Sequence, residues 1–457
     1  MNNNIHVIGG GINGLISALY FKHLDKDCKV FIHESQPKIG GKLRGFEYEQ
    51  NDLYFDQGTH IFQESGHQFL DQTLRNSVNK EKLILFPRGK GDIVGSIQND
   101  YLKINSHFLD LREDEKTLMS IRKHLSSIVK PHKHINIHNS VSKELNKRFG
   151  EDFAIKYARL FSDIFKNPVE ELSAISLLFT GFTRVILDDL PKWKTESVNE
   201  IYRSIVGVPN QLDLPEDYLH NMKSFYSKQK GTLEFINGLE KLIFSKGIQI
   251  ITNSRIKKIN KFQKYIEYQQ NQINHKLEYD KILISSGVLS AVKLLQPTLK
   301  IDTIPPMKSA FLNLELKSIT KNDLFYFYNF SSTLNFYRVT NYRSFSKNEN
   351  DKRITIECFL PNDHPEANCK KILLYLKKIN FIENIGYSHF YYEEKPYGFP
   401  VLTIENINKI NSLSQHLTTL IDDNIQVSGV GTDNFNFFTN EIIINSLNKI
   451  DQLMLTK

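Results

Sequence analysis

The sequence predicts an α/β fold: a Rossmann-type parallel-sheet domain assembled from separate stretches of chain, with an inserted α+β domain of antiparallel sheet and helices. Three observations carry this. A β-branched run, Ile5 to Ile8, breaks at glycines and passes into a helical pattern from Ile12 through Tyr20, followed by a second strand at Lys29 to His33. The same strand-then-glycine order returns at Asp280 to Gly287 and at Asn424 to Gly429. Between these returns lie a helical region and a strand-rich, aromatic one.

The glycines after the first strand, Gly9, Gly11 and Gly14, stand at G-x-G-x-x-G spacing. The first allows a tight turn, the second lets backbone approach a pyrophosphate, and the third lets helix and strand pack closely. The helix start adds free N–H groups and a positive dipole end. The second strand ends on Glu34, about 20 residues further on, where a carboxylate can accept hydrogen bonds from a ribose. A glycine turn without a ligand is the bland alternative, and the flanking strand, helix and acidic strand end weigh against it.

Bulk properties narrow the classes. A chain of 457 residues is too long for one simple core, so two domains are expected. Hydrophobic residues at 40% and charged residues at 24% exclude a disordered chain. The net charge of +7 comes from scattered lysines, with no basic helix or aromatic-basic platform, so no nucleic-acid partner is expected. It leaves a mild bias toward an anionic substrate, such as a carboxylate or a nucleotide sugar. Cys28, Cys358 and Cys369 have no metal-ligand spacing and point to a reducing compartment without disulfides or zinc. A strand begins almost at the first residue, leaving no room for a leader. The most apolar helix candidate, Leu172 to Leu187, carries Arg184 and is too short to cross a bilayer. The expectation is a cytoplasmic protein with a small-molecule substrate and no membrane partner.

After Glu34 the chain reads Ile39-Gly40-Gly41-Lys42-Leu43-Arg44, where paired glycines allow close backbone approach and Arg44 brings charge. Tyr54 to Phe62 reads as a strand ending in a glycine turn, Asp56-Gln57-Gly58-Thr59-His60. Taken in order, strand, G-x-G-x-x-G, helix, strand-Glu, G-G-x-x-R and D-x-G-x-H, the chain resembles the flavin amine oxidase and protoporphyrinogen oxidase superfamily. That resemblance implies FAD rather than NAD. It implies that Gly40, Gly41, Lys42 and Arg44 line the cofactor, together with Gly58, Thr59 and His60.

Thr73 through Phe108 mixes short strand-like runs, Leu83 to Phe86, Ile93 to Ile97 and Tyr101 to Ile104. Glu115 to Val129, Val141 to Phe165 and Val169 to Leu187 then place apolar residues at helical spacing, with Pro168 read as a helix start. Phe149-Gly150-Glu151 and Glu171-Leu172-Ser173-Ala174 are similar to the protoporphyrinogen oxidase-like branch. Gly58 to Phe62 resembles the G-x-H-I-F turn of UDP-galactopyranose mutases. As plain sequence these stretches are equally well packing helices and turns.

A helix is expected from Lys230 to Ser245, a strand at Ile248 to Thr252, and alternating strands at Ser254 to Asn260 and Lys264 to Tyr268. Val288 to Leu295 reads as the helix after the Asp280 strand. By the resemblance, Ile256 lies near the adenine and Ser286 brings backbone to the cofactor. Ser309 to Leu316, Phe325 to Phe330, Leu334 to Val339, Arg353 to Leu360 and Tyr387 to Tyr392 read as antiparallel strands, with a helix at Lys370 to Asn380. A polar helix, Ile407 to Leu420, precedes the last strand, and a closing helix runs from about Thr439 to Leu453. The resemblance places Gly429, Asp433, Phe438 and Thr439 at the flavin, with the closing helix aimed at the N1–C2=O edge. Where the family often carries arginine after the first glycine, this chain has Val430.

The domains are therefore expected at 1–65, 226–300 and 395–457 for FAD, and at 66–225 and 301–394 for substrate. Flavin carries redox chemistry itself, so neither a triad nor a metal set is needed, and none is found. His60, Arg184, Arg338 and Arg343 are the catalytic and substrate-binding candidates. His60 suits contact near neutral pH, and each arginine suits a carboxylate or phosphate. A backbone-satisfied histidine and surface arginines are the alternatives, as is ordinary packing for Phe435, Phe437 and Phe438. Three functions stay open: an FAD-dependent oxidoreductase passing hydride from a small organic substrate to N5, a nucleotide-sugar mutase or isomerase without net redox change, and a non-catalytic flavin-binding interaction protein.

Overall fold

Strand β1 (Asn4–Ile8) is the middle of a five-stranded sheet in which every pairing is parallel. β2 (Lys29–His33) pairs on one side and Lys281–Ile284 on the other, while Gln249–Ile251 and Ile425–Val427 form the edges. Helices cover one face of the run, while on the other the alternate residue His6 meets His33 of β2, which in turn meets Ser254 and Tyr268. α1 (Ile12–Leu24), Gly231–Ser245 and Thr439–Leu455 bury Leu15, Phe235, Ile443 and Leu447 in one cluster with Ile5, Val7 and Ile32. Each such side chain contributes about 1.5–3 kcal/mol relative to exposure.

The computed structural model describes residues 3–87, 93–104, 107–216, 223–331, 334–358 and 364–455. It divides into two units. The first holds Met1–Ile84, Phe225–Thr303 and Ile407–Lys457, and the second holds Leu85–Ser224 and Ile304–Asn406. The boundaries differ from the expected ones for physical reasons. Helix Gln68–Asn76 buries Leu70 and Leu74 in the parallel-sheet core, carrying unit 1 past residue 65. Strand Tyr387–Phe399 pairs along Met307–Leu316, which keeps residues after 395 in unit 2.

Unit 1 also carries an antiparallel sheet, Ser254–Asn260, Tyr265–Gln270 and Ile273–Glu278. Unit 2 is built on a seven-stranded sheet in the order Tyr387–Phe399, Met307–Leu316, Arg353–Cys358, Arg338–Asn341, Tyr326–Asn329, Val94–Gln98, Tyr101–Lys103. Helix Pro365–Lys378 packs Ile372, Leu373 and Leu376 against Leu312, Leu314, Ile354 and Ile356. Two differences from the expected sheet stand out. Val94–Gln98 joins it in parallel with Tyr326–Asn329, through a long-range pairing. The fourth strand begins at Arg338 rather than Leu334. The expected strand Arg353 to Leu360 ends, in part, outside the described residues.

The helical region differs more. Gly150, at φ +90°, splits Val141 to Phe165 into Val141–Phe149 and Glu151–Phe165. Val169 to Leu187 is not a helix. Only Ser176–Thr180 is helical, Gly181 at φ +72° ends it, and Val185–Ile186 pairs with Leu109–Asp110. Pro168 starts no helix; its carbonyl closes turns with the N–H groups of Glu171 and Leu172. The Ser173 N–H donates to the Leu402 carbonyl and the Ile404 N–H to the Glu171 carbonyl, so the backbone here is committed to a distant segment. The apolar residues are buried by turns, not by one helix face.

One polar pair sits inside the parallel sheet. His6 Nδ1 lies 2.9 Å from His33 Nε2, His33 Nδ1 lies 2.9 Å from Ser254 Oγ, and His6 Nε2 lies 3.1 Å from the Glu278 carbonyl. Burial pushes the His6 pKa down to about 4 and, aided by the positive field of His6, the His33 pKa down to about 3. Both rings are neutral when folded, whereas the unfolded chain takes up protons below pH about 6.5. Stability is therefore full above that pH and falls as acid is added, by on the order of 2 kcal/mol per histidine between pH 7 and 5. Denaturant unfolding at both pH values should show this loss, and His33→Asn should show less of it. An unchanged acid dependence in the variant would contradict the assignment.

Candidate functional site

The loop from β1 into α1 has the geometry its glycines require. Gly9 adopts φ +113° and donates to the His33 carbonyl at 2.8 Å. Gly14 sits in the first turn of α1, where a Cβ would overlap the Gly9 carbonyl oxygen. Gly11 is the helix N-cap in extended conformation, with φ −72°, and a Cβ there would meet nothing within 4 Å. Its side opens outward, beside helix N–H groups that no capping side chain engages.

Glu34, only 9% exposed, closes the loop from β2. One carboxylate oxygen accepts the Gly10 N–H at 2.8 Å; the other accepts the Gln36 N–H at 2.8 Å and the Ser35 hydroxyl at 3.2 Å. An ionised carboxylate has about four lone-pair sites, so it retains acceptor capacity for a ribose hydroxyl. Gly40 and Gly41, at φ +112° and +56°, run beside Gly11: the Gly40 N–H donates to the Gly10 carbonyl at 2.8 Å, and Gly11 and Gly40 form a bridge. Lys42 is exposed on the short helix Gly41–Arg44, and Arg44 donates to the Ile39 carbonyl at 3.3 Å.

The residues present fit a dinucleotide. Open space faces Gly11, a partly unused carboxylate stands at the end of β2, and Asn13 holds a buried side-chain oxygen with no partner among the described residues. Asn13 was not singled out by sequence; its amide N–H groups reach Ser428 and the Ser285 carbonyl, tying the loop to the last strand.

The remaining cofactor candidates lie in several segments of unit 1. Gly58 makes a tight turn at φ +90°, after which His60 Nε2 lies 3.0 Å from the Gln57 carbonyl; the ring meets the backbone. Thr59 is half-buried beside it. Asn440 donates to the Gln63 carbonyl at 2.9 Å, which holds this segment to the start of helix Thr439–Leu455, whose Phe438 carbonyl accepts from Ile442. Ile256 is buried on a strand whose first N–H, from Ser254, donates to the Glu34 carbonyl at 2.8 Å. Gly429, at φ +119°, packs against Gly287, which caps Val288–Leu295, and the neighbouring Ser286 is exposed. Asp433 is occupied by Lys449 at 2.6 Å and serves as an ion-pair partner. Phe435 is buried at φ +66°, and the Phe437 and Phe438 rings stand edge to face at 5.9 Å.

Asp56 has a supporting role. It is 1% exposed and accepts from the Tyr54 hydroxyl at 2.7 Å, the Thr232 N–H at 3.0 Å, the Thr232 hydroxyl at 2.6 Å and the Tyr226 hydroxyl. It thereby fixes the first turn of helix Gly231–Ser245, whose Ile236 closes on Gly40. Nothing in the local sequence pairs Asp56 with Thr232.

The three candidate arginines have different surroundings. Arg338 is held by Glu357 through two parallel hydrogen bonds, Nε at 2.6 Å and Nη2 at 2.8 Å, with the Tyr337 hydroxyl on the same carboxylate at 2.6 Å. This occupies the fork a substrate carboxylate would take. Arg343 donates to the Thr320 carbonyl at 3.2 Å and pairs with Asp323 at 3.3 Å. Arg184 lies 5.9 Å from the Phe108 ring and lines a cavity of about 560 Å³ in unit 2, with Arg148 and Arg203. Neither Arg338 nor Arg343 lines it.

Glu34→Ala should weaken FAD binding by about one to two decades, since a charge-assisted hydrogen bond of about 1.5–3 kcal/mol is lost. Glu34→Gln, which keeps an acceptor for Gly10, should lose less. Titration of apo-protein reads both, and parental affinity in the alanine variant would refute the role.

Comparison with known proteins agrees with this geometry. Residues 7–74 match the NAD_binding_8 family, an NAD(P)-binding Rossmann-like domain. Hydroxysqualene dehydroxylase of Rhodopseudomonas palustris is 33% identical over 67 residues, 15% of this chain and 16% of that protein. Protoporphyrinogen oxidase of Schizosaccharomyces pombe is 25% identical over 201 residues, 39% of each chain. The chain thus matches well under half the length of these curated relatives. Reduced UDP-galactopyranose mutase superposes with a TM-score of 0.70 at 15% identity, covering 99% of this chain and 94% of that one. Over nearly its whole length the chain shares the fold of that structure, and residues 7–74 match an NAD(P)-binding Rossmann-like domain.

Proposed function

We propose that the protein is an FAD-dependent oxidoreductase that takes a hydride from a carbon of a small organic substrate. The observation that carries this is the Gly11 cradle: a helix N-terminus with open space before it, flanked by Gly40-Gly41 and by the Glu34 carboxylate. Pyrophosphate belongs at the uncapped N–H groups of α1 and the adenosine ribose at Glu34. FAD, when bound, supplies the electron sink at N5.

The chain's own residues hold and tune that group. With FAD bound, the N–H groups that open helix Thr439–Leu455, steadied by the Asn440 contact to Gln63, would favour negative charge placed before them. The substrate carbon gives up two electrons with its hydrogen, and molecular oxygen or another two-electron acceptor restores the starting state. Substrate recognition falls to unit 2. Among the described residues no helix is long and apolar enough to cross a membrane.

The protein should purify yellow, and acid should release free flavin. Anaerobic addition of a substrate, with amines the first class to try, should bleach the flavin, and air should restore it. A colourless protein that refuses added FAD would overturn the cofactor assignment. Turnover without any flavin reduction or acceptor consumption would overturn the oxidoreductase reading.

A further inference from the structure

The cavity beside Arg184 has a charge imbalance that the flavin chemistry does not use. Lys133, Arg148, Arg184 and Arg203 line it against a single carboxylate, Glu200. Glu200 is shared, 3.0 Å from Lys133 and 3.8 Å from Arg203. Arg148 is neutralised from behind by buried Glu144 at 3.0 Å. Arg184 has no carboxylate partner among the described residues; the Phe108 ring is its neighbour, and the positive charges of Arg148 and Arg203 act on it.

The walls are built rather than incidental. Buried Arg148 donates to the Thr183 carbonyl at 3.3 Å and the His134 carbonyl at 3.1 Å, while Ser204 accepts the His132 N–H at 3.0 Å. These bonds hold the 132–135 segment in place around the guanidinium groups. The arrangement sets four cationic side chains and one carboxylate around a recess of about 560 Å³, within the size range of small-molecule sites. A phosphate monoester carries about −1.5 to −2 near neutral pH and matches paired guanidinium forks.

We propose that this recess binds a phosphoryl group held by Arg184 and Arg203, either as free phosphate or as the head of a small phosphate ester. The site lies wholly in unit 2 and stands independently of the flavin reading.

Calorimetry on the full-length protein, as purified, tests it with inorganic phosphate, glycerol 3-phosphate and acetate as probes. Phosphate and glycerol 3-phosphate should bind and acetate should not. Arg184→Gln and Arg203→Gln should each weaken binding about tenfold or more, and Arg184→Lys should lose less. Arg159→Gln, at a side chain 86% exposed elsewhere in the unit, should change nothing. Melting temperatures of the variants report folding separately. Tighter binding of the ester would place its organic part in the recess; binding of phosphate alone would identify the free ion as the ligand. Acetate binding as well as phosphate, no heat with either phosphate probe, or equal affinity in folded Arg184→Gln and parent would overturn the proposal.

Discussion

The close seat of α1 on the end of β1 is the contact on which unit 1 depends. It exists because Gly14 has no side chain where the Gly9 carbonyl passes. A methyl group there would push the helix off the strand, moving Leu15, Ile16 and Leu19 out of the cluster they share with Ile5, Val7 and Ile32. The same seat aims the helix N-terminus into the open space at Gly11. One steric requirement thus serves both the core and the anion-facing end of the helix.

In both units the chain spends buried polar groups on position rather than on stability. Asp56 gathers four donors to fix a helix start, Glu34 ties the glycine loop to β2, and Arg338 is locked to Glu357. Taking an ion pair out of water costs several kcal/mol, and mutual attraction only offsets that when geometry is good and remaining valences are filled. The Arg338–Glu357 pair, with its two parallel bonds and the Tyr337 hydroxyl on the same carboxylate, meets the condition. Breaking one partner would strand a charge, so this is a place where a conservative substitution has a large effect. Arg184 is the contrasting case, a cation with no carboxylate partner among the described residues.

Much of unit 1 was legible because its signals are local. β2 and Val288–Leu295 fall where the apolar pattern and flanking glycines put them. The sequence was least informative where burial comes from distant partners. Leu172, Ala174 and Leu177 read as a helix face, yet they are buried by turns whose backbone bonds go to Leu402 and Glu171–Ile404. Val94–Gln98 gives no sign that it will pair with a strand more than two hundred residues later. The fate of Arg338 depends on Glu357 across a sheet register, which spacing alone does not encode. His60, Asp433 and Ser286 lie in segments that the motifs located, but the side chains meet the Gln57 carbonyl, Lys449 and the protein surface.

Gly11 separates a ligand cradle from a merely structural turn. Its φ of −72° suits any residue, and a Cβ would touch no protein atom within 4 Å, so Gly11→Val should fold with nearly the parental melting temperature. The added methyl groups would instead stand in the space assigned to the pyrophosphate. Titrating FAD into folded apo-protein should therefore show tight binding by the parent and at least about a hundredfold weaker binding by Gly11→Val, a loss of about 2.7 kcal/mol. Equal FAD affinity in the two proteins would contradict the cradle and the cofactor assignment built on it.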